Sequence, residues 1–477
     1  MLGCKFLIIG AGETGLHLAK ELSLMGESVI LVEQDSFGGS YIHYNEIPKF
    51  WLKHEANRFV SALEIFRDFD QTFSTLVDYR RAIKDIVEEK IVATYKFFLS
   101  DYHNVKNLQI IAGKASFISK NLIQVVSKNE NTVENQNQEQ KEFITFENLI
   151  LAIGKNTLIK PNLFKSNGIE FLHQYSAFQF NTVPKSLCVL GCSVQNLEIA
   201  DIYANLGIKV TILEYKTMSD CFPRLGIDCL EYLKKYFVSK QIEVFFQTQI
   251  EHIQPTNKTT NTEVTIDFME YKDANQTNVF KRVFNSVYTT VAENFTERGL
   301  GLGAMGILYD KTGIQTDFRG RTNLSNIWAF GDCNHKTTSH NKLGKVSDFL
   351  LKVRQNIRQN SSRQNNKTNL WDTADGGRND SLADNGQINF AIHTSKPIFC
   401  FGLSELETQN IYKPDVDIEI IQKIEQEGFI KLWFRQSSGQ ILGGCVVGEM
   451  TQYRHYISLA IAKNLNIMEV MRYVLSD

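Results

Sequence analysis

This sequence predicts an α/β chain with two nucleotide-type βαβ units and a smaller α+β domain at its C-terminal end. Three observations carry that prediction. A glycine-rich turn, Gly10-Ala-Gly-Glu-Thr-Gly15, lies between an apolar run and a helical repeat. A second strand–turn–helix–strand pattern recurs near residue 187. From Gln387 onward the pattern changes to strands followed by an amphipathic helix.

In the first unit, residues 5–9 form an apolar strand and residues 16–25 carry helical apolar spacing. Gly26 ends the helix, and residues 28–32 give a buried strand that closes on Glu33. The turn therefore stands in the strand–helix–strand context that a dinucleotide fingerprint requires. In the second unit, residues 187–190 form a strand, 191–196 a turn, 197–206 a helix and 209–213 a strand closing on Glu214. Two such units predict two Rossmann-like dinucleotide-binding domains. Strands at 148–152 and 326–330 each run into a glycine. Strands at 389–393, 428–435 and 441–448 and a helix at 453–464 make the α+β domain, within the usual domain size.

Composition narrows the class of function. With 477 residues, 43% hydrophobic and 22% charged, the chain is long enough to bury large cores without disulfide staples. A net charge of −2 offers no basic face for a phosphate backbone, so no nucleic-acid partner is expected. No apolar run reaches the roughly 18 residues of a membrane span, and the N-terminal strand lacks the features of a signal peptide. The eight cysteines (Cys4, Cys188, Cys192, Cys221, Cys229, Cys333, Cys400, Cys445) are scattered and form no CxxC, which points to a reducing, cytoplasmic setting. His335, His340 and His393 lack metal-ligand spacing, and no metal site is expected. Three tracts rich in Asn and Gln, 129–141, 256–278 and 359–385, read as surface loops or linkers.

The turn chemistry is specific. Gly10 permits a tight turn, Gly12 lets backbone approach a pyrophosphate, and Gly15 packs helix on strand. The helix N-terminus offers amide donors and positive potential to phosphates, and Glu33 stands where a carboxylate accepts ribose hydroxyls. Farther along, Ile327-Trp-Ala-Phe-Gly-Asp332 is a buried strand ending in a glycine and an acid.

Taken with Gly38-Gly39 and Ile150-Leu-Ala-Ile-Gly154, these segments resemble the FAD-domain signatures of the class I pyridine nucleotide-disulfide oxidoreductases. That family includes lipoamide dehydrogenase, glutathione reductase, mercuric reductase and the soluble transhydrogenase. The resemblance runs from residue 5 to about 470. It implies the FAD/NAD-linked reductase fold, with FAD held by Gly10, Gly12, Gly15, Glu33, Gly39, Gly154 and Asp332. It also implies a homodimer through the C-terminal domain.

Three departures bear on activity. The family has two cysteines five positions apart after its Gly-Gly pair, then Pro-Ser-Lys. Here the segment reads Gly38-Gly-Ser-Tyr-Ile-His-Tyr-Asn-Glu-Ile-Pro48-Lys-Phe50, so Tyr41 and Glu46 stand at the cysteine positions. Phe50 stands where a lysine would reach the flavin, with Lys49 one residue away. Thiol–disulfide exchange needs a thiolate, which neither side chain supplies. The chain also ends at Met471-Arg-Tyr-Val-Leu-Ser-Asp477, without the family's His-Pro-Thr…Glu segment. In the second turn, Gly191-Cys-Ser193-Val-Gln-Asn196 keeps only the first glycine. A side chain at Ser193 would crowd a pyrophosphate, and Asn196 would loosen helix–strand packing. The family's Gly-Arg-x-Pro-Asn turn corresponds to Ala292-Glu-Asn-Phe-Thr296. Glu198 and Glu214 do match the family, and Glu214 suits NAD better than NADP.

The resulting expectation is an FAD-dependent oxidoreductase that passes electrons from NAD(P)H through FAD to a small-molecule, non-disulfide acceptor. Tyr41, His43, Glu46 and Glu198 are the candidate catalytic residues. Gly191 and Glu214 are the candidate NAD contacts. His43 with Tyr44 resembles a His-Trp pair of the transhydrogenase, and Cys333 reads as a buried inert thiol. The alternative is a catalytically degenerate FAD-binding protein with a structural role. The expected divisions are 1–155 and 287–358 for FAD, 156–286 for NAD(P), a linker at 359–386 and dimerisation at 387–477.

Overall fold

The computed structural model describes residues 1–44, 46–67, 76–128, 139–157, 171–173, 176, 184–256, 263–273, 276–290, 293–317, 319–335, 342–362, 388–411, 418–425 and 427–474. In chain order the first elements are β1 (Leu2–Ile9), α1 (Glu13–Leu24), β2 (Val29–Glu33), α2 (Gly39–His43), α3 (Glu46–Arg67), α4 (Leu76–His103), β3 (Leu108–Ala112), β4 (Lys114–Ser119), β5 (Leu122–Lys128), β6 (Glu139–Leu151) and β7 (Asn156–Thr157). Then come β8 (Ser186–Leu190), α5 (Val194–Asn205), β9 (Lys209–Leu213), α6 (Met218–Cys221), α7 (Ile227–Ser239), β10 (Glu243–Phe245), β11 (Thr248–Pro255), β12 (Val264–Asp273), β13 (Gln276–Phe284) and β14 (Ser286–Thr289). The chain continues through β15 (Glu293–Asn294), β16 (Tyr309–Asp310), β17 (Gly313–Ile314), β18 (Ile327–Ala329) and α8 (Lys342–Ser362). It closes with β19 (Ile388–Ile392), β20 (Ile398–Gly402), α9 (Glu405–Ile411), β21 (Ile418–Glu425), β22 (Gly428–Arg435), β23 (Ile441–Gly448), α10 (Arg454–Ala462) and α11 (Ile467–Val474).

The chain forms two compact units. The first comprises residues 1–48, 88–159 and 291–377. Its sheet runs β3-β2-β1-β6-β5-β4, with β18 also paired to β6. β1, β2, β3, β6 and β18 are parallel, whereas β5 and β4 continue antiparallel. Strands covered on both faces should read as unbroken apolar runs, and the end of β1 does. Leu7 and Ile9 point into one core with Leu149, Leu151 and Ile327. Phe6 and Ile8 point into the other, against Leu18 and Leu22 of α1 and Phe349 of α8. At the edge of this unit, β7 and β15 pair antiparallel, Asn156 with Asn294 and Thr157 with Glu293.

The second unit comprises residues 49–87, 160–290 and 378–477. It holds a parallel sheet, β10-β9-β8-β14, and an antiparallel one, β11-β12-β13. This corrects the reading of 256–278 as a loop, because most of that tract is β12 and the start of β13. Val264, Ile266 and Phe268 alternate into the core, with Thr265, Asp267 and Met269 between them on the other face, a period of two that composition alone conceals. The other Asn/Gln tracts fall largely outside the described residues, although α8 continues to Ser362. The last sheet, β19-β20-β23-β22-β21, is antiparallel, and Ile457, Ile461, Ile467 and Val470 of α10 and α11 pack on it. No helix among the described residues is long and apolar enough to cross a membrane.

Candidate functional site

Four backbone segments of the first unit converge where the sequence places its glycines. Gly10 has φ +102°, and a Cβ there would lie 2.4 Å from the Ala152 carbonyl oxygen. A Cβ on Gly15 would lie 1.9 Å from the Gly10 oxygen, so only glycine lets α1 start this close to the turn. Gly39, following Gly38 at φ +90°, would place a Cβ 3.3 Å from the Gly12 Cα. Gly331 stands against Thr14, where its Cβ would be 2.9 Å from Oγ1. Asp332 is thereby brought beside the first turn of α1, half-buried. Gly154, at φ +65°, follows β6 just before the chain leaves through β7.

Gly12 differs from its neighbours. Its φ of −72° is open to any residue, and a Cβ there would meet nothing within 4 Å. What glycine supplies is free space beside the N-terminus of α1, whose cap makes no side-chain hydrogen bond. Amide donors at an uncapped helix start, with room in front of them, suit a phosphate group. Glu33 closes the turn: the N–H of Ala11 donates to Oε2 at 2.6 Å and the N–H of Asp35 to Oε1 at 2.8 Å. A carboxylate has roughly four acceptor positions, so capacity remains for hydroxyl donors. The arrangement fits an extended dinucleotide such as FAD.

The second unit repeats the plan with altered contents. The N–H of Cys192 donates to Glu214 Oε2 at 2.6 Å and that of Lys216 to Oε1 at 2.9 Å, reproducing the Ala11–Glu33–Asp35 arrangement. Here, however, Ser193 caps α5, its hydroxyl accepting from the Asn196 N–H at 3.2 Å. Asn196 does not loosen the packing as expected. It is 1% exposed, and its Nδ2 donates to the carbonyls of Leu190 and Gly191, both at 2.8 Å. The amide fills the space that glycine would leave and bonds the turn to the helix. Asn196→Ala is therefore expected to destabilise the protein by about 1–2 kcal/mol in chemical denaturation, because two part-buried carbonyls lose a donor.

Tyr41, His43 and Glu46 all belong to the first unit, on α2 and at the start of α3. Burial, together with the nearby Glu13 and Glu46 carboxylates, raises the Tyr41 phenol above its ordinary value, so it is neutral at pH 7. His43 Nε2 donates to the Phe37 carbonyl at 2.8 Å, and its ring packs on Tyr95. That bond fixes the tautomer with hydrogen on Nε2. Cys333 is fully buried against the Leu151 and Phe330 carbonyls, and burial pushes its thiol up to about 12.

Glu198 lies in the second unit, its side chain 5% exposed, and its partner is Lys49, the neighbour of Phe50. Lys49 Nζ donates to its Oε2 at 2.9 Å, and the His393 N–H donates to Oε1 at 3.0 Å. One turn farther along both helices, Lys53 Nζ donates to the carbonyls of His393 and Thr394, while Asp201 accepts from Ser395 and Tyr236. The signal was a Lys, x, x, x, Lys spacing on α3 opposite Glu198 and Asp201 on α5.

The family pattern described as pyridine nucleotide-disulphide oxidoreductase matches residues 4–360. The chain is 27% identical over 329 residues to a dihydrolipoyl dehydrogenase of Geobacillus stearothermophilus, covering 68% of this chain and 64% of that protein. It thus spans just under two thirds of that relative's length. It is 22% identical over 461 residues to a dihydrolipoyl dehydrogenase of Buchnera aphidicola, covering 93% and 86%. Among solved structures it is similar to the Cu(II) complex of the HOCl-induced flavoprotein disulfide reductase RclA from Escherichia coli. The TM-score is 0.75 at 18% identity, over 99% of this chain and 96% of that one. At that identity the likeness speaks for the fold. Because the family pattern runs through the Gly10–Gly15 turn, the departure at β7 and the return at Gly331, the chain belongs to the pyridine nucleotide-disulphide oxidoreductase family, whose members bind FAD and use nicotinamide nucleotides.

Proposed function

We propose that this protein is an FAD-dependent oxidoreductase that accepts electrons from NADH or NADPH and delivers them to a small acceptor other than a disulfide. The carrying observation is a contrast within one unit. The glycine convergence around the Gly10–Gly15 turn fits FAD, while Tyr41 and Glu46 occupy the positions where the resemblance calls for cysteines. All eight cysteines are free, and none lies on α2 or α3. A phenol and a carboxylate cannot form the mixed disulfide that thiol exchange requires.

In this reading Gly12 and the start of α1 face the pyrophosphate, Glu33 takes the ribose hydroxyls, and Gly39, Gly154 and Asp332 flank the rest of the cofactor. FAD, when bound, supplies two-electron acceptance and onward transfer. Tyr41 offers a neutral hydroxyl donor and Glu46 a carboxylate. Lys49 is paired with Glu198. Gly191 and Glu214 shape the turn that would receive a nicotinamide nucleotide, with the acid favouring NAD. The divisions given above on sequence grounds, a cytoplasmic location and a homodimer through 387–477 belong to the same proposal.

A second reading is favoured by one observation. The Ser193 hydroxyl already takes one amide of the α5 N-terminus that a nucleotide pyrophosphate would use, and Asn196 fills the place of the glycine that would let it approach, which fits a scaffold that retains FAD without nicotinamide turnover. Anaerobic titration of the purified flavoprotein with NADH, then NADPH, separates the two. Loss of the oxidised flavin absorbance is expected, with NADH the better donor. A spectrum unchanged by millimolar amounts of both nucleotides would overturn the enzymatic reading and support the scaffold.

A further inference from the structure

Three of the cysteines, far apart in the chain, meet in the second unit. Cys400 on β20 and Cys445 on β23 are directly opposed cross-strand partners, and Lys431 on β22 is opposed to Cys445 in turn. Cross-strand partners present their side chains on one face of a sheet, so Cys400, Cys445 and Lys431 form a row. Cys229 on α7 descends onto that row, its Sγ 3.4 Å from Cys445 Sγ. The three sulfurs, Lys431, Arg224 and Trp433 line one small cavity. Around it, Lys431 Nζ bonds Asp228 at 2.7 Å and Glu405 at 2.9 Å.

Ordinary core cysteines act as small hydrophobes, but two features here go further. The Cys229–Cys445 sulfurs are closer than the sum of their van der Waals radii and need approach by only about 1.4 Å to reach bonding distance. The pair also sits beside an ammonium group, where a thiolate is stabilised once formed. Among the described residues no set of three His, Cys, Asp or Glu side chains is arranged to hold a metal ion, which turns the reading toward sulfur–sulfur chemistry.

We propose that Cys229 and Cys445 form a reversible oxidation site, converted by hydrogen peroxide into a disulfide that ties α7 to the C-terminal sheet. One sulfur, as thiolate, attacks a peroxide oxygen. The O–O bond breaks, and the departing hydroxide takes up a proton to leave as water. The second sulfur attacks the resulting sulfenic sulfur, the S–S bond forms and the S–O bond breaks, releasing a second water. Two thiols lose two electrons and two protons, and one peroxide becomes two waters. The hydrogen bond from Cys229, together with burial, raises the Cys445 thiol well above its ordinary value and holds it protonated, so the pair stays reduced until peroxide is in excess.

The test uses the whole flavoprotein, fully reduced, desalted and exposed to hydrogen peroxide, then denatured, alkylated and digested. The expected result is two fewer titratable thiols and a cross-linked peptide pair joining Cys229 to Cys445. Dithiothreitol should reverse it, and the thermal midpoint should rise by about 3 °C or more. Cys229→Ser should abolish both the cross-link and the shift, whereas Cys400→Ser should preserve them. Eight free thiols after peroxide exposure, or a cross-link confined to Cys400 or to any other pair, overturns the proposal even if the Cys229→Ser chain does not fold.

Discussion

Gly15→Ala is expected to yield protein with less than about one tenth of the wild-type flavin content. The new methyl carbon would stand 1.9 Å from the Gly10 carbonyl oxygen and 3.3 Å from the Ala152 Cβ. The first of these is backbone, so no side-chain rotation relieves the clash. The start of α1 must back away from the turn, costing several kcal/mol, in the range reserved for overpacking of a tight core. Gly12→Ser gives the control that separates fold from site. Its side chain would enter open space, so the apoprotein should melt within about 2 °C of wild type. The hydroxymethyl group would nevertheless occupy the ground proposed for the pyrophosphate, and FAD should bind at least tenfold more weakly, about 1.4 kcal/mol. Flavin absorbance relative to protein, followed by FAD titration of the apoproteins, checks both. Wild-type flavin content in Gly15→Ala would overturn the placement of the cofactor at this turn.

The second large effect is expected at Lys49. The Glu198 side chain is 5% exposed, and removing its ammonium partner leaves a buried carboxylate that still accepts from the His393 N–H. Breaking a buried pair on one side costs about 3–5 kcal/mol, far more than the pair contributes as a whole. Lys49→Met is expected at the lower end, about 3 kcal/mol, because that N–H offsets part of the charge. The double variant Lys49→Met/Glu198→Gln should recover much of the loss, since the uncompensated charge disappears with its partner. Urea unfolding of the four chains of the cycle measures the coupling. If the two single losses simply add, the ion pair is not coupled and the Lys49–Glu198 assignment fails.

Much of the first site was legible because glycine there is forced by collisions that leave a mark in sequence. Gly10, Gly15 and Gly331 each sit where a Cβ would strike backbone or a neighbouring side chain. The paired acids, Glu33 and Glu214, were legible for a similar reason, since each closes a strand and folds back on its own turn. Lys49 was harder. Sequence matching counts positions, and the residue at the expected position is Phe50, whereas the structure turns its neighbour toward Glu198. Asn196 was misread because a glycine pattern has no term for a side chain that replaces lost contact with two hydrogen bonds. The hairpin β12–β13 was missed because Asn, Gln, Thr and charged residues dominate the composition of 256–278, which hides the period-two placement of Val264, Ile266 and Phe268. The thiol cluster left no local sign at all, because its members come from a helix and two strands brought together only by the tertiary fold.

The ribbon formed by β7 and β15 has a further meaning. At Thr157 and Glu293 the outgoing and incoming chains are hydrogen-bonded neighbours, so the long excursion between them begins and ends at a single doorway. A host with such a doorway can be spliced. Joining Thr157 to Glu293 through a tight two-residue turn would convert the ribbon into an ordinary hairpin and leave every strand pairing of the β3-β2-β1-β6-β5-β4 sheet, and of β18 with β6, covalently undisturbed. The same seam spares the host the entropy of closing a loop of more than a hundred residues before β18 can dock. The shortened host should therefore assemble its sheet faster than the parent chain.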